Sequence, residues 1–403
     1  MRKLLSILYI CILFIITGCS GDEAQKDITS IADNGIKGAK TPKGCKIVDI
    51  SEEEMPISWE YNMETDYEQN TPNGALCTDV NDVIYKIKEE TFLEYYEKES
   101  MIKNLLCGKP DCEHNNEKTC NAYVSGMSAL QYYNGYLYTV QDVNKLTKIS
   151  LDGAIREEAG ELVVNPVTEV NGGSIRWVIH RGYIYYYYNC GAGFIEGTYY
   201  LNNSNCIHRM NLESKEKECI MAFPEMSQSS CIMKGVGSYV YMNMVQNEEG
   251  GYLYRFNTET KQLERLKSIG SDISGYAVCD DRLYYLRKNC EEKTAALYCF
   301  EYSNKETKLI DTYYNVDGGN MYCDNDYIYT VILHNNMANI KAFDKTCNFI
   351  ADIALEMERG NAIFLWMGTD ATRVYLIEMY GDKLYYIEKS KLLNGEVKIE
   401  SSN

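Results

Sequence analysis

The sequence predicts an all-β protein assembled from repeats of about 48 residues. Three observations carry this. A short pattern recurs seven times: a turn residue, any residue, an aliphatic residue, then Tyr. It reads Asp82-Val83-Ile84-Tyr85, Gly135-Tyr136-Leu137-Tyr138, Gly182-Tyr183-Ile184-Tyr185, Ser238-Tyr239-Val240-Tyr241, Asp281-Arg282-Leu283-Tyr284, Asp326-Tyr327-Ile328-Tyr329 and Thr372-Arg373-Val374-Tyr375, with the tyrosines 53, 47, 56, 43, 45 and 46 residues apart. An alternating apolar segment precedes each copy, and a second hairpin follows it, with a turn of Asp, Asn, Glu, Ser or Gly. Helical periodicity is weak throughout. Residues 89–103 come nearest to a helix, but their place in the repeat favours a long hairpin.

Each repeat therefore supplies four short antiparallel strands, one blade of a β-propeller. A single blade has two apolar faces and cannot bury them alone, whereas stacking blades around an axis covers both. Seven copies predict seven blades. Six or eight also fit the spacing, because the first repeat and the N-terminal strands are ambiguous. The last repeat lacks a partner near its end, so a strand around residues 46–50 or 56–61 is expected to pair there and close the ring. The 36 Tyr against 9 Phe become mostly architectural, since Tyr suits strands and sets its hydroxyl at a wet rim.

In chain order, Arg2 and Lys3 form a positive n-region and residues 4–16 an apolar h-region too short to span a bilayer comfortably. Ile16-Thr17-Gly18-Cys19 resembles the lipobox of bacterial lipoproteins. That resemblance implies diacylglyceryl transfer to the Cys19 thiol and cleavage after Gly18. The expected organisation is a signal peptide over 1–18, a flexible tether over 19–44 and a propeller over 45–403. Two acyl chains on Cys19 make a stable anchor. Loss of Arg2 and Lys3 takes the formal charge from −18 to −20. Such a body is repelled by anionic headgroups, and it lacks the basic stripe that nucleic acid requires.

One segment departs from the repeat. Cys107, Cys112, His114 and Cys120 lie within fourteen residues at the end of the first repeat. Pro110 and Asp111 predict a tight turn between the first two cysteines. Three thiolates and an imidazole can make a closed structural Cys3His zinc site, with Asp111 or Glu113 orienting His114. The same spacings fit a disulfide-stapled loop, or free thiols. The other cysteines sit singly. Cys279 and Cys323 fall just before the turns of their blades and read as small packing residues. Cys190 with Cys206, and Cys290 with Cys299, could each staple a hairpin.

Catalytic signatures are missing: the sequence has no G-x-S-x-G, H-E-x-x-H, P-loop or G-x-G-x-x-G. His180 and His334 fall beside turns and read as turn or surface residues. Asp79-Val80-Asn81-Asp82 and Asp324-Asn325-Asp326 offer clustered oxygens, and both read as turns rather than calcium sites. The strand from Tyr183 to Tyr188 places Tyr on both faces; blade packing is favoured over a glycan platform. Residues 189–206 form the longest polar insertion, where a partner is first sought.

The repeats, with their [GDST]-x-[LIV]-Tyr motif and the C-x4-C-x-H segment, resemble extracytoplasmic lipoprotein propellers of Gram-positive anaerobes, described as similar to YWTD or TolB-like propellers. The resemblance covers roughly residues 75–399 and implies a fold, not an activity. Three expectations follow. The first is a lipid-anchored, non-catalytic binding or scaffold module at the outer face of the membrane, whose ligand is a protein, peptide or glycan. The alternative is a glycan- or peptide-processing enzyme with its site in the central funnel. A third is an accessory subunit of an envelope complex.

Overall fold

The computed structural model describes residues 47–51, 77–88, 91–115, 119–124, 129–163, 174–189, 193–195, 198–200, 206–222, 232–246, 250–279, 281–316, 318–334, 337–356, 365–378, 384–392 and 400–401. The expected signal peptide, Cys19, the tether and the segment 56–61 lie outside the described residues. The chain divides into Met1–Lys37, also outside them, and Gly38–Asn403, whose fold follows.

Among the described residues, seven four-stranded antiparallel sheets succeed one another as the blades of a seven-bladed propeller. Blade 1 holds β2 (Cys77–Val80), β3 (Val83–Lys88), β4 (Phe92–Glu97) and β5 (Lys103–Leu105). Blade 2 holds β6 (Leu130–Tyr133), β7 (Tyr136–Gln141), β8 (Lys145–Ser150) and β9 (Arg156–Glu161). Blade 3 holds β10 (Ser174–His180), β11 (Tyr183–Asn189), β14 (Cys206–Asn211) and β15 (Lys217–Ala222), with the hairpin β12 (Gly193–Ile195) and β13 (Thr198–Tyr200) inserted. Blade 4 holds β16 (Ile232–Val236), β17 (Tyr239–Gln246), β18 (Gly250–Asn257) and β19 (Leu263–Leu266); blade 5 holds β20 (Ile273–Cys279), β21 (Arg282–Asn289), β22 (Thr294–Glu301) and β23 (Glu306–Tyr314). Blade 6 holds β24 (Gly318–Cys323), β25 (Tyr327–His334), β26 (Met337–Asp344) and β27 (Phe349–Glu356). Blade 7 holds β28 (Leu365–Thr369), β29 (Arg373–Glu378), β30 (Leu384–Glu388) and β31 (Glu400–Ser401), with one helical turn, α1 (Lys389–Leu392), after β30. The expected hairpin in residues 89–103 is present as β4 and β5. No helix among the described residues is long and apolar enough to cross a membrane.

The apolar clusters are seams between blades. Val80, Tyr85 and Leu93 of blade 1 meet Leu130, Leu137 and Ile149 of blade 2. Further seams join blades 2 and 3, 3 and 4, 4 and 5, 5 and 6, and 6 and 7. The last joins Tyr375, Ile377 and Leu384 of blade 7 to Cys77, Ile84 and Tyr96 of blade 1. The ring thus closes by packing between two complete blades.

That closure corrects one expectation. β31 completes blade 7 by pairing with β30, Tyr385 opposite Ser401. The N-terminal strand β1 (Ile47–Ile50) instead runs parallel to β19 on the outer edge of blade 4, Ile47 opposite Leu263. The reason is chemical complementarity: Asp49 accepts two hydrogen bonds from Arg265, at 2.5 and 2.9 Å. Ile50 fills the cluster of Leu266, Ile269 and Ile273.

The seven repeat tyrosines all lie on the second strand of their blade, and all are buried. Their hydroxyls correct the expected wet rim, because several bond protein groups. Tyr85 donates to Leu151 O at 3.1 Å, Tyr284 to Lys345 O at 3.4 Å, and Tyr241 meets the Tyr302 hydroxyl at 3.1 Å. Each partner group follows the third strand of the next blade. Phe would fill the seam but leave this tie unmade.

Inner strands carry a second set of ties. Gln131 on β6 bonds both Ile179 N (2.8 Å) and Ile179 O (3.3 Å) on β10. His180 at the end of β10 donates from Nε2 to Gly237 O at 2.8 Å. Lys234 on β16 donates to Tyr276 O of blade 5 (2.8 Å) and Met321 O of blade 6 (3.4 Å). Burial brings the Lys234 pKa down to about 8. His180 is therefore a buried tie, not the turn or surface residue expected from its neighbours.

Candidate metal centre

The four residues singled out between the first two blades do converge. Leu106 N still bonds Leu93 O at 2.8 Å, prolonging β5. The chain then crosses to blade 2, where Gly108 N bonds Gly153 O at 3.1 Å. A Cβ on Gly108 would lie 2.8 Å from Ala154 N, and one on Gly153 2.7 Å from Leu106 O, so this crossing needs glycine on both sides. After the loop the chain rejoins blade 1: Leu93 N bonds Ala122 O at 2.7 Å and Val124 N bonds Thr91 O at 2.8 Å. Asn121 Nδ2 donates to Gly153 O and Ala154 O, both at 2.8 Å, and Arg156 Nη1 to Cys120 O at 2.9 Å. The segment is a knuckle tied at both ends across the seam of blades 1 and 2.

Within it, the Sγ atoms of Cys107, Cys112 and Cys120 and a ring nitrogen of His114 all lie within 4.8 Å of one another. Cys120 Sγ is 3.5 Å from His114 Nδ1. Cys120 is buried and the other three are half-buried. The predicted turn is present, with Cys112 N bonding Lys109 O at 3.3 Å. Glu113 does not orient His114; its carboxylate accepts Asn115 Nδ2 at 2.9 Å. The three cysteines are thiols, not disulfides. Burial pushes the Cys120 thiol up to about 11, reinforced by its thiol neighbours. Burial also opposes ionisation of Cys107. The backbone N–H groups of Lys109 and Asn121 and the thiols of Cys112 and Cys120 outweigh it, so the Cys107 pKa lies below the ordinary thiol value. Tetrahedral zinc with bonds of about 2.3 Å to sulfur sets its ligand atoms about 3.8 Å apart, close to this arrangement. With four protein donors the site is closed, suited to holding an ion and not to activating water.

Other sequence candidates resolve into structure. Asp324 Oδ1 accepts the N–H groups of Asp326 and Tyr327, both at 2.8 Å, and Oδ2 accepts Tyr329 Oη at 3.1 Å and Lys389 Nζ at 2.9 Å. Asp79 accepts Lys98 Nζ at 3.2 Å. The segment 324–326 is a turn, as expected, whereas Asp79 and Val80 end β2 and only Asn81 and Asp82 turn. Tyr186 packs in the seam of blades 2 and 3, and Tyr185 and Tyr187 in that of blades 3 and 4, so the aromatic strand is blade packing. His334 ends β25, opposite Met337 on β26. Cys190 lies outside the described residues. Cys290 and Cys299 do not pair: Asn289 opposes Thr294 at the hairpin tip while Cys299 opposes Tyr284, about 17 Å along the strand.

Sequence reasoning missed two cysteine pairs across the seam of blades 5 and 6. The thiols of Cys279 and Cys323 adjoin across it, as do those of Cys299 and Cys347, all four in one apolar cluster. Each pair is separated by about one repeat length, which is the signal that could have found them.

No protein-family model matches the chain, and no curated protein resembles it in sequence. Solved structures do resemble it in fold. One from a study of two prolyl endopeptidases has a TM-score of 0.53 at 11% identity, over 84% of this chain and 50% of that one. The chain thus spans about half the length of that enzyme. A computationally designed protein, Ika8, gives 0.49 at 9% identity over 85% and 89%. An oligogalacturonate lyase in complex with manganese gives 0.45 at 8% identity over 87% and 96%. The first likeness shows the propeller fold; nothing rests on the other two.

Proposed function

We propose that this chain is a non-catalytic binding or scaffold propeller, held at the outer face of a bacterial membrane by lipid on Cys19, with a protein, peptide or cell-surface glycan as its ligand. One observation carries the non-catalytic reading. The inner-strand side chains Gln131, His180 and Lys234 bond the backbones of neighbouring blades, whereas a funnel enzyme needs such groups turned together on a substrate. The β12–β13 hairpin is the element we assign to the ligand. It forms its own two-stranded sheet, and its sequence brings Phe194, Ile195, Tyr199 and Tyr200. An isolated hairpin of that kind is marginal in water and gains by covering.

The test is crosslinking and recovery from intact cells of the wild-type chain and of a chain in which residues 191–204 are replaced by a short Gly-Ser turn. A partner captured by the first and lost from the second is the expected result. Recovery of both chains as uncrosslinked monomers would sink the proposal. For the anchor, Cys19→Ala is expected to move the protein from the detergent phase to the aqueous phase; unchanged partition would refute lipidation there.

In the same reading the Cys107, Cys112, His114 and Cys120 centre holds a structural zinc ion. The donor set supports this, and Lys109 and Arg156 lie against the knuckle to offset the thiolate charge. Protein purified under reducing, chelator-free conditions should carry about one equivalent of zinc, lost in Cys112→Ser. Less than half an equivalent in the wild type would remove the idea.

A further inference from the structure

The seam between blades 5 and 6 has a feature that the binding reading does not use. Cys279, Cys299 and Cys323 are buried in its apolar cluster, and Cys347 packs against them half-buried. They are two pairs and not one four-sulfur group, since only the 107–120 centre brings three or more ligand atoms together among the described residues. The inner pair is enclosed. Cys279 Sγ donates to Asp324 O at 3.7 Å and Cys323 Sγ to Val278 O at 3.6 Å, each reaching across to the other strand. The outer pair is different. Cys299 lies on β22 opposite Tyr284, whose hydroxyl reaches Lys345 O at 3.4 Å in the β26–β27 turn. Cys347 sits in that same turn, fixed by its N–H bond to Asp344 O at 2.9 Å. Its φ of 69° belongs to the turn, because Lys215, Lys261 and Lys305 take the same left-handed conformation in the turns of blades 3 to 5.

We propose that Cys299 and Cys347 form a reversible inter-blade disulfide by exchange with a small or protein disulfide, Cys347 attacking and Cys299 resolving. The Cys347 thiolate attacks one sulfur of the donor disulfide, forming a mixed disulfide and releasing one thiolate. The deprotonated Cys299 sulfur then attacks Cys347 Sγ, closing the Cys299–Cys347 bond and releasing the second thiolate. Both cysteines are oxidised, the donor is reduced to two thiols, and the two cysteine protons pass to them. Two properties favour this order. Cys347 is the more accessible partner. The Cys299 thiol that donates to it, with Arg282 nearby, holds its pKa down to about 7 against the effect of burial. A thiol of that pKa, reachable and beside a second cysteine, is the kind that exchanges fastest.

The experiment is exposure of the folded full chain to oxidised glutathione, followed by acid quench, alkylation in denaturant and peptide mapping by mass spectrometry. Mapping reads this seam separately from residues 107–120. The expected result is a 299–347 crosslink, with Cys279 and Cys323 alkylated as thiols, and a urea midpoint that rises on oxidation and returns on reduction. In Cys347→Ser, Cys299 should remain alkylatable. Cys347 recovered as a lasting glutathione adduct beside an alkylated Cys299 would overturn the proposal. So would both cysteines alkylated in the wild type after exposure.

Discussion

Tyr375 donates its hydroxyl proton to Asp370 Oδ2 across 2.7 Å, fastening the second strand of blade 7 to the turn that precedes it. The other carboxylate oxygen accepts the N–H groups of Thr372 (2.7 Å) and Arg373 (2.8 Å). Tyr329 and Asp324 repeat the arrangement in blade 6 at 3.1 Å. In these two blades the repeat tyrosine ties to its own turn. In blades 1, 4 and 5 it ties to the following blade.

Tyr375→Phe keeps the buried ring and removes one hydrogen bond, so it should cost about 1 kcal/mol. Asp370→Ala strips the acceptor from the Tyr375 hydroxyl and from two turn N–H groups, and should cost about 2–3 kcal/mol. Urea unfolding of both variants checks the ranking. A larger loss for Tyr375→Phe would mean that the hydroxyl, not the turn, is the dependent partner.

Gly235 is where blade 4 admits the His180 ring. A Cβ there would lie 2.3 Å from His180 Cγ, closer than real contacts allow. Gly235→Ala should therefore destabilise by about 3 kcal/mol through overpacking. His180→Ala should cost about 2 kcal/mol, since it opens a cavity and leaves Gly237 O without its donor. In the double variant the new methyl occupies the vacated space, so the summed losses should exceed the measured one by at least about 1 kcal/mol. Strict additivity would separate the two residues.

The fold was legible because the seven tyrosines mark equivalent places in equivalent blades, and strand alternation with turn chemistry supplied the rest. The Cys/His cluster was legible because its four residues lie within fourteen residues of chain. What escaped has a common cause. Alternation in Ile47–Ile50 marks a strand, but nothing local says that its partner edge begins at Leu263. His180 precedes Arg181-Gly182 and so reads as a turn residue; the space that buries it is made by Gly235, on another blade. Cys299 and Cys347 meet only once two blades are stacked. Contacts within a repeat can be read from periodicity, while contacts between repeats need the geometry of the ring.

Lys389 links blade 7 to blade 6. Its ammonium lies 2.9 Å from Asp324 Oδ2 and 3.1 Å from Asp326 Oδ2, and the Lys389 and Asp324 side chains are each 8% exposed. Lys389→Met leaves the Asp324 carboxylate enclosed without its cation, and should cost about 3 kcal/mol. Pairing it with Asp324→Asn removes the stranded charge and should recover part of that loss, read as a rise in urea midpoint over the single variant. No recovery would show that the lysine acts through packing of its stem.

His208 sets a pH limit on the fold. It lies buried on β14, stacked on Tyr186 with ring centroids 5.4 Å apart. Burial brings its pKa from 6.5 down to about 4. In the unfolded chain the imidazole takes up its proton as pH falls through 6.5, while in the folded chain it stays neutral until about pH 4. Across that window the unfolded state binds more protons, so stability falls as pH falls. The contribution is complete above pH 6.5 and is lost by about pH 4, a difference of about 3 kcal/mol. His208→Phe keeps a flat ring against Tyr186 and removes the titration. Urea unfolding at stepped pH should therefore show the wild type losing about 3 kcal/mol more than His208→Phe between pH 7 and pH 4. Equal losses in the two proteins would mean that folding leaves the His208 imidazole as easily protonated as it is in the unfolded chain, and the buried stack on Tyr186 would have to be abandoned.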